Sequence, residues 1–264
     1  MGPEVRPSAV AGRFYPGRSD GLRELVDRLM STVDVPDGEP LAPAYVVPHA
    51  GYRFSGPTAA LVYARLRAHA DEISRVLLVG PAHHVRLRGC AVSTVDEWRT
   101  PLGTVPLDPA LRDTLVDGGH AQPDDAPHAP EHSLEVQVPF LQRALRPGTP
   151  FVPVVTGPAA ADEVADLLAA ASGDGTVLIC STDLSHYQPD AVARDQDAAT
   201  VRAVTERAPD RIGVRDACGV FALRGLTALA ARRDWTPTLL GYATSADTLG
   251  PPERVVGYAA LAVR

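Results

Sequence analysis

AYVVPHAGY (44–52), RVLLVGPAHH (75–84) and TVLICSTDLSHY (176–187) each run a short apolar strand into small residues and a histidine. The apolar runs have the length and β-branched content of buried strands, and Pro48 and Gly80 break the first two. In an open sheet with helices between strands, such runs lie parallel, and ligands bind beyond their carboxyl ends. His49, His83, His84, Asp183 and His186 are therefore expected along one rim, as a metal or acid–base site.

Outward from these stretches, strand and helix keep alternating. A helix is predicted over 19–33, with Ser19 able to cap it and Leu22, Leu25, Val26 and Leu29 on its apolar face. Strand 44–48 is followed by a helix over 57–70, where Pro57 suits a first turn. Strand 75–80 leads into GPAHH, and CAVSTVDEWRTPLGTVPLD reads as two strands around Pro101–Gly103. A Pro-, Asp- and His-rich loop over 118–133 precedes a helix over 133–146. The second half gives strand 151–155, helix 159–171, strand 176–181, helices 189–207 and 216–232, and strands 236–245 and 254–263. This order predicts a three-layer α/β/α sandwich around a mixed, largely parallel sheet. With 264 residues, 45% hydrophobic content and no linker, residues 1–264 are expected to form a single domain.

Composition removes several classes of function. The net charge is −7, with acidic and basic residues interleaved, so no basic stripe suggests nucleic acid. No apolar run is long enough to cross a bilayer. The N-terminus lacks the charged-then-apolar pattern of a signal peptide, which predicts a cytoplasmic protein. All 25 basic residues are arginine. Without lysine, a Schiff-base enzyme, a pyridoxal-phosphate enzyme and a Walker-type phosphate loop are excluded. GxGxxG is absent, which counts against a dinucleotide fold. Cys90, Cys180 and Cys218 are odd in number and far apart, so neither a disulfide scaffold nor a zinc knuckle fits. Cys90 and Cys180 lie in or beside strand-like runs and read as small buried hydrophobes.

A single loop histidine more often bonds the backbone than a metal. Two of them after neighbouring strands shift that balance, because imidazole is the commonest transition-metal ligand. In GPAHH the adjacent side chains diverge, so one can bind while the other orients or packs. In STDLSHY, Asp183 and His186 share a face if they form a helical turn, and can make a hydrogen-bonded acid–base couple. A turn in which Asp183 caps the following helix is the equal alternative. His132 and Glu135 are again three apart, but Ser133 as an N-cap makes this ordinary helix-start chemistry. His132 also ends a long loop of the kind that covers sites. Cys218 is predicted just inside a helix start, where the dipole lowers a thiol's pKa and suits it as ligand or nucleophile. Arg53 and Arg99 can pair with an anionic substrate or be solvated surface residues.

Together AGRFYP (11–16), PHAGYRFSG (48–56), GPAHH (80–84), EHSLEVQVPF (131–140), STDLSHY (181–187), DACG (216–219) and GYATS (241–245) resemble the MEMO family. Its bacterial branch is labelled AmmeMemoRadiSam system protein B. The resemblance implies a class III extradiol dioxygenase-like fold and an open non-haem metal site of two histidines and a cysteine. Carried over motif by motif, the ligands fall on His49, His83 and Cys218. Asp183 and His186 would line the same pocket, with His132 in the next layer, as the catalytic residues. Where the dioxygenases use a carboxylate, Cys218 is softer and favours Cu(I) or thiolate-bound iron. The implied function is a redox enzyme acting on a small organic substrate with O2, with Fe(II) the first choice of metal, then copper, then zinc. The alternatives are a scaffold binding phosphorylated peptides through a degenerate site, and a zinc hydrolase. The sequence names neither the substrate nor the oligomeric state.

Overall fold

The computed structural model describes residues 2–264. The chain begins with β1 (Val5–Arg6), α1 (Ser19–Ser31), β2 (Ala44–Val47), α2 (Tyr52–Ala68) and β3 (Arg75–Pro81). Then come β4 (Cys90–Val92), β5 (Glu97–Thr100), β6 (Gly103–Pro106), α3 (Pro109–Asp117) and β7 (Gln122–Pro123). A 3₁₀ turn, Glu135–Gln137, leads into α4 (Val138–Ala144), β8 (Phe151–Thr156), α5 (Ala161–Ala171) and β9 (Thr176–Ser181). The chain ends with β10 (His186–Gln188), α6 (Asp190–Thr205), α7 (Val220–Arg233), β11 (Pro237–Thr244) and β12 (Val255–Val263).

Nine strands form one sheet in the order β10-β12-β2-β9-β3-β8-β4-β7, with β11 paired to β12. The middle four, β2, β9, β3 and β8, are parallel, while β12 and β4 run antiparallel to their neighbours β2 and β8. Side chains alternate between the faces. Tyr45, Val47, Val76, Leu78, Val177 and Ile179 pack with Leu22 of α1, Val62 of α2 and Phe140 of α4. Val46, Leu77, Val79, Leu178 and Cys180 pack with Leu115 of α3, Leu168 of α5, Val204 of α6 and Leu226 of α7. Both faces are covered, so the strands carry no polar alternation, and the result is the three-layer sandwich that the sequence predicts.

Several local expectations are corrected. α2 starts five residues before the predicted 57, because the Gly51 carbonyl accepts from Phe54 N (2.8 Å) and Ser55 N (3.2 Å) directly behind the His49 loop. Pro57 is the sixth residue of that helix, where its missing N–H leaves out one internal bond. α3 has no counterpart in the sequence reading, although Asp108 caps it (Leu111 N to Oδ1, 3.0 Å) and Pro109 opens it. The stretch 90–108 splits in two: β4 joins the main sheet, while the β5–β6 hairpin pairs with β1 in a separate three-stranded sheet. Ser133 does not cap a helix; its hydroxyl donates to the Pro81 carbonyl (2.9 Å).

Two features of the architecture position the site. The chain leaves β2 for α2 on one face and leaves β9 for β10 and α6 on the other, so adjacent strand ends part and open a crevice. The N-terminal arm is strapped down beside it by one buried carboxylate. Glu135 accepts from Arg6 Nη1 (2.7 Å), Ala9 N (2.7 Å), Val10 N (3.0 Å) and the Tyr15 hydroxyl (2.6 Å). The Arg6 guanidinium also lies 4.1 Å over the Trp98 ring. Behind it, His128 donates from Nε2 to the Ala91 carbonyl (3.2 Å), and its buried Nδ1 has no partner among the described residues.

Glu135→Ala leaves Arg6 buried and uncompensated, and should lower the unfolding free energy by about 3–5 kcal/mol in a denaturant titration. His128 adds a pH dependence. Burial lowers its pKa from 6.5 to about 4, so between those values the unfolded chain binds the proton and the native one does not. The part of the stability that His128 contributes should be full above pH 6.5 and fall as pH drops toward 4, and a His128→Phe variant should show a shallower fall.

Candidate metal centre

β9 lies between β2 and β3, with Val47 in register with Ser181 and Val79 with Cys180, so the segments beyond these strands are neighbours. His49 stands two residues past β2 and His83 two past β3. Their rings meet edge to face, with centroids 5.3 Å apart. His132 arrives from the loop before the 3₁₀ turn and stacks on His83 at 4.6 Å, with Phe14 of the N-terminal arm also at 4.6 Å. His49, His83 and His132 each offer a donor nitrogen, all within 4.8 Å of one another. This cluster can hold a metal ion.

Hydrogen-bond counting fixes which nitrogen of two of these rings is free. The Gln137 amide must donate to the Pro48 carbonyl (3.0 Å), so its nitrogen also donates to Ser181 Oγ (2.8 Å), while its oxygen accepts from Tyr63 (2.8 Å). Ser181 spends its only proton on the Ser133 carbonyl (2.7 Å). Towards His49 Nδ1, at 3.0 Å, that hydroxyl can therefore only accept, and Nδ1 carries the hydrogen. Burial holds the His49 pKa well below 6.5, so the ring is neutral and Nε2 keeps its lone pair. For His83 the partner is Glu131, fully buried. Despite its burial, hydrogen bonds from the His83 side chain and from backbone N–H groups hold its carboxyl well below the usual range. An ionised carboxylate only accepts, so His83 Nδ1 donates at 2.8 Å, and its Nε2 has no hydrogen-bond partner among the described residues. Glu131 further accepts from the backbone of His83 (2.6 Å), His132 (2.9 Å) and Ser133 (2.8 Å). A second grouping, His84, Glu131 and His132, shares this carboxylate. Its oxygens already take four N–H groups, so Glu131 is an orienting hub.

Cys218 adjoins the cluster at His49, outside the three-histidine grouping. Its sulfur is 3.2 Å from His49 Nε2, the nitrogen with the lone pair. It stands in the turn before α7, not inside the helix as predicted. Burial pushes its thiol up to about 12, with the Asp183 carboxylate adding to the rise, so the expected lowering by a helix dipole does not occur. With the ring hydrogen of His49 on Nδ1, the S–H donates to Nε2. The turn is laced to the end of β9: Cys218 N donates to the Asp183 carbonyl (3.2 Å) and Asp183 N to the sulfur (3.3 Å). Gly219 permits that approach, because a Cβ there would sit 2.8 Å from the Thr182 side chain.

A family model described as Memo-like protein matches residues 6–262. The chain belongs to the Memo family. It is 36% identical to a MEMO1 family protein of Methanopyrus kandleri, covering 98% of this chain and 99% of that protein. Identity is also 36% to a MEMO1 family protein of Methanosarcina mazei, over 98% and 99%, and 33% to one of Aquifex aeolicus, over 96% and 97%.

In this Memo chain, Asp183 and His186 do not form the helical-turn couple. The segment is a loop leading into β10, and Asp183 instead takes the His49 backbone N–H at 2.7 Å, with burial lifting its carboxyl to about 6. His186 donates from Nδ1 to the Leu184 carbonyl (2.8 Å), which leaves its Nε2 free. Asp197, fully buried, holds the loop between them through Ser185 N (2.8 Å) and Ser185 Oγ (3.0 Å). His84 is exposed, its ring 5.8 Å from that of His132. Arg53 and Arg99 are exposed, with Arg53 lying over Phe54. Sequence reasoning missed Glu131, Ser181 and Gln137; the one available signal was a carboxylate directly before His132 in PEHS.

Glu131→Gln removes the acceptor that orients His83. A loss of about 10–100-fold in metal affinity is expected, measured by competition with a chelator, with the native fold retained.

Proposed function

We propose that His49, His83 and Cys218 hold a redox-active metal, iron by preference and copper second, in a dioxygenase-like oxidoreductase that acts on a small organic substrate with O2. The observation that carries this reading is the pair of imidazoles with their Nδ1 hydrogens pinned outward, and the Cys218 sulfur 3.2 Å from one freed nitrogen. Two neutral imidazoles and a thiolate form a donor set of intermediate softness, which suits iron or copper better than a hard cation. Bound there, the metal would supply one-electron chemistry towards O2.

The chain's own residues supply the rest. Glu131 and Ser181 keep the two histidines aimed, and Asp183 holds the backbone on which His49 sits. Burial lowers the His132 pKa to about 4, so at neutral pH its ring stands uncharged beside the metal ligands. His186, with its Nδ1 hydrogen spent on Leu184, offers Nε2 as the base for a substrate proton. The His83 side chain is 27% exposed, which leaves the centre reachable from solvent.

Elemental analysis of anaerobically purified protein tests this. Stoichiometric iron or copper is expected, lost in His49→Ala and Cys218→Ala. Zinc in its place would favour a hydrolase. Full metal occupancy in both variants would overturn the ligand assignment, and binding of a phosphorylated peptide by metal-free protein would favour a scaffold.

A further inference from the structure

We propose that the cavity beside Cys218 binds the substrate as a small carboxylate with an apolar body, and that Arg215 anchors the carboxylate. The inference rests on the metal-centre reading, since Cys218 is what joins the cavity to the histidines. The cavity has a volume of about 360 Å³, and its walls include His186, Gln196, Val214, Arg215, Ala217 and Cys218. Cys218 thus faces two ways, towards His49 Nε2 at 3.2 Å and into this space. A molecule seated here lies against a metal-ligand residue and beside the free Nε2 of His186.

The charge on the walls selects the ligand. In a chain of net charge −7, the Arg215 guanidinium makes no ion pair or hydrogen bond among the described residues. Its neighbour Asp216 makes no ion pair with it among the described residues. One Asp216 oxygen takes Gln196 Nε2 (3.1 Å) and the other takes Gly213 N (2.6 Å). The same Gln196 nitrogen donates to the Arg215 carbonyl (3.1 Å), which fixes the backbone under the guanidinium to α6. A guanidinium on a braced backbone with no internal partner is suited to a carboxylate, which it grips through two parallel N–H groups. Beside it the cavity wall carries the apolar side chains of Val214 and Ala217. Val214 is 66% exposed and Tyr187, next to His186, is 62% exposed. Tyr187 is held with φ at 61°, in the left-handed region, and the guanidinium of Arg254 lies 4.3 Å over its ring. A non-glycine residue held there marks a conformation imposed by its surroundings. An amphipathic anion satisfies both kinds of wall at once, its acid group on Arg215 and its body against Val214 and Ala217.

Titration calorimetry on the full chain with hydrocinnamate, hydrocinnamamide and phenyl phosphate tests the proposal, with metal content measured on the same samples. Wild type should bind hydrocinnamate, and the neutral amide about tenfold more weakly or worse. Arg215→Gln should lose that difference while keeping wild-type metal content, and Arg215→Lys should recover part of it. Chelator-treated protein should still bind hydrocinnamate, which separates the cavity from direct ligation of the metal. Equal binding of acid and amide, or an unchanged Arg215→Gln variant, would overturn the carboxylate anchor. Tighter binding of phenyl phosphate than of hydrocinnamate would also overturn it, in favour of a phosphate site. Hydrocinnamate binding by a chain that takes up no metal would sink the metal-centre reading and leave the anion cavity standing.

Discussion

A hydroxyl has one proton to give, and Ser181 gives it to the backbone at Ser133. That single commitment ties the end of the middle strand to the segment carrying His132, and it leaves the oxygen able only to accept from Gln137 and His49. Glu131 imposes the same direction on His83 by having no proton at all. Both rings are therefore oriented before any metal arrives. Buried polar groups cost free energy unless every one is satisfied, and here satisfaction puts a hydrogen on the Nδ1 of both rings, pointed at Ser181 and Glu131. Support of this kind for ligating imidazoles is what tunes their basicity in metal sites.

Much of the scaffold is written in the sequence. Apolar runs of β-branched residues mark β2, β3 and β9, with Pro or Gly breaking the first two, and the alternation with helices gives the three layers. His49 and His83 are legible as residues at strand ends because the pattern that ends a strand also names the residue standing past it. Less legible is anything set by long-range pairing. The order β2-β9-β3 places a strand from the second half of the chain between two from the first, and no local pattern encodes that insertion. Glu131, Gln137 and Ser181 acquire their roles only through partners dozens of residues away. Capping rules misled at Ser133, whose hydroxyl finds a backbone carbonyl across the fold, and at Cys218, where burial outweighs the helix dipole. Glu135 reads as a helix-start acid, yet it is the clamp for the N-terminal arm.

The division of labour between the two faces is also physical. The face with α2 and α4 supplies the rigid orienting network, because Tyr63, Gln137 and Ser133 are all buried there and fully engaged. The opposite side, around β10 and the turn before α7, holds the free groups: His186 Nε2, the Arg215 guanidinium and an exposed apolar edge. One side is built to be still and the other to meet something.

The contact between His49 and Cys218 spans 169 positions of the chain. A centre that engages both would act as a cross-link closing most of the molecule into one loop. By the chain-entropy relation used for disulfides, such a closure removes about 5 kcal/mol of freedom from the unfolded ensemble. An ion of this kind would be a staple as well as a reagent, and its departure would loosen the chain far beyond the few residues that touch it.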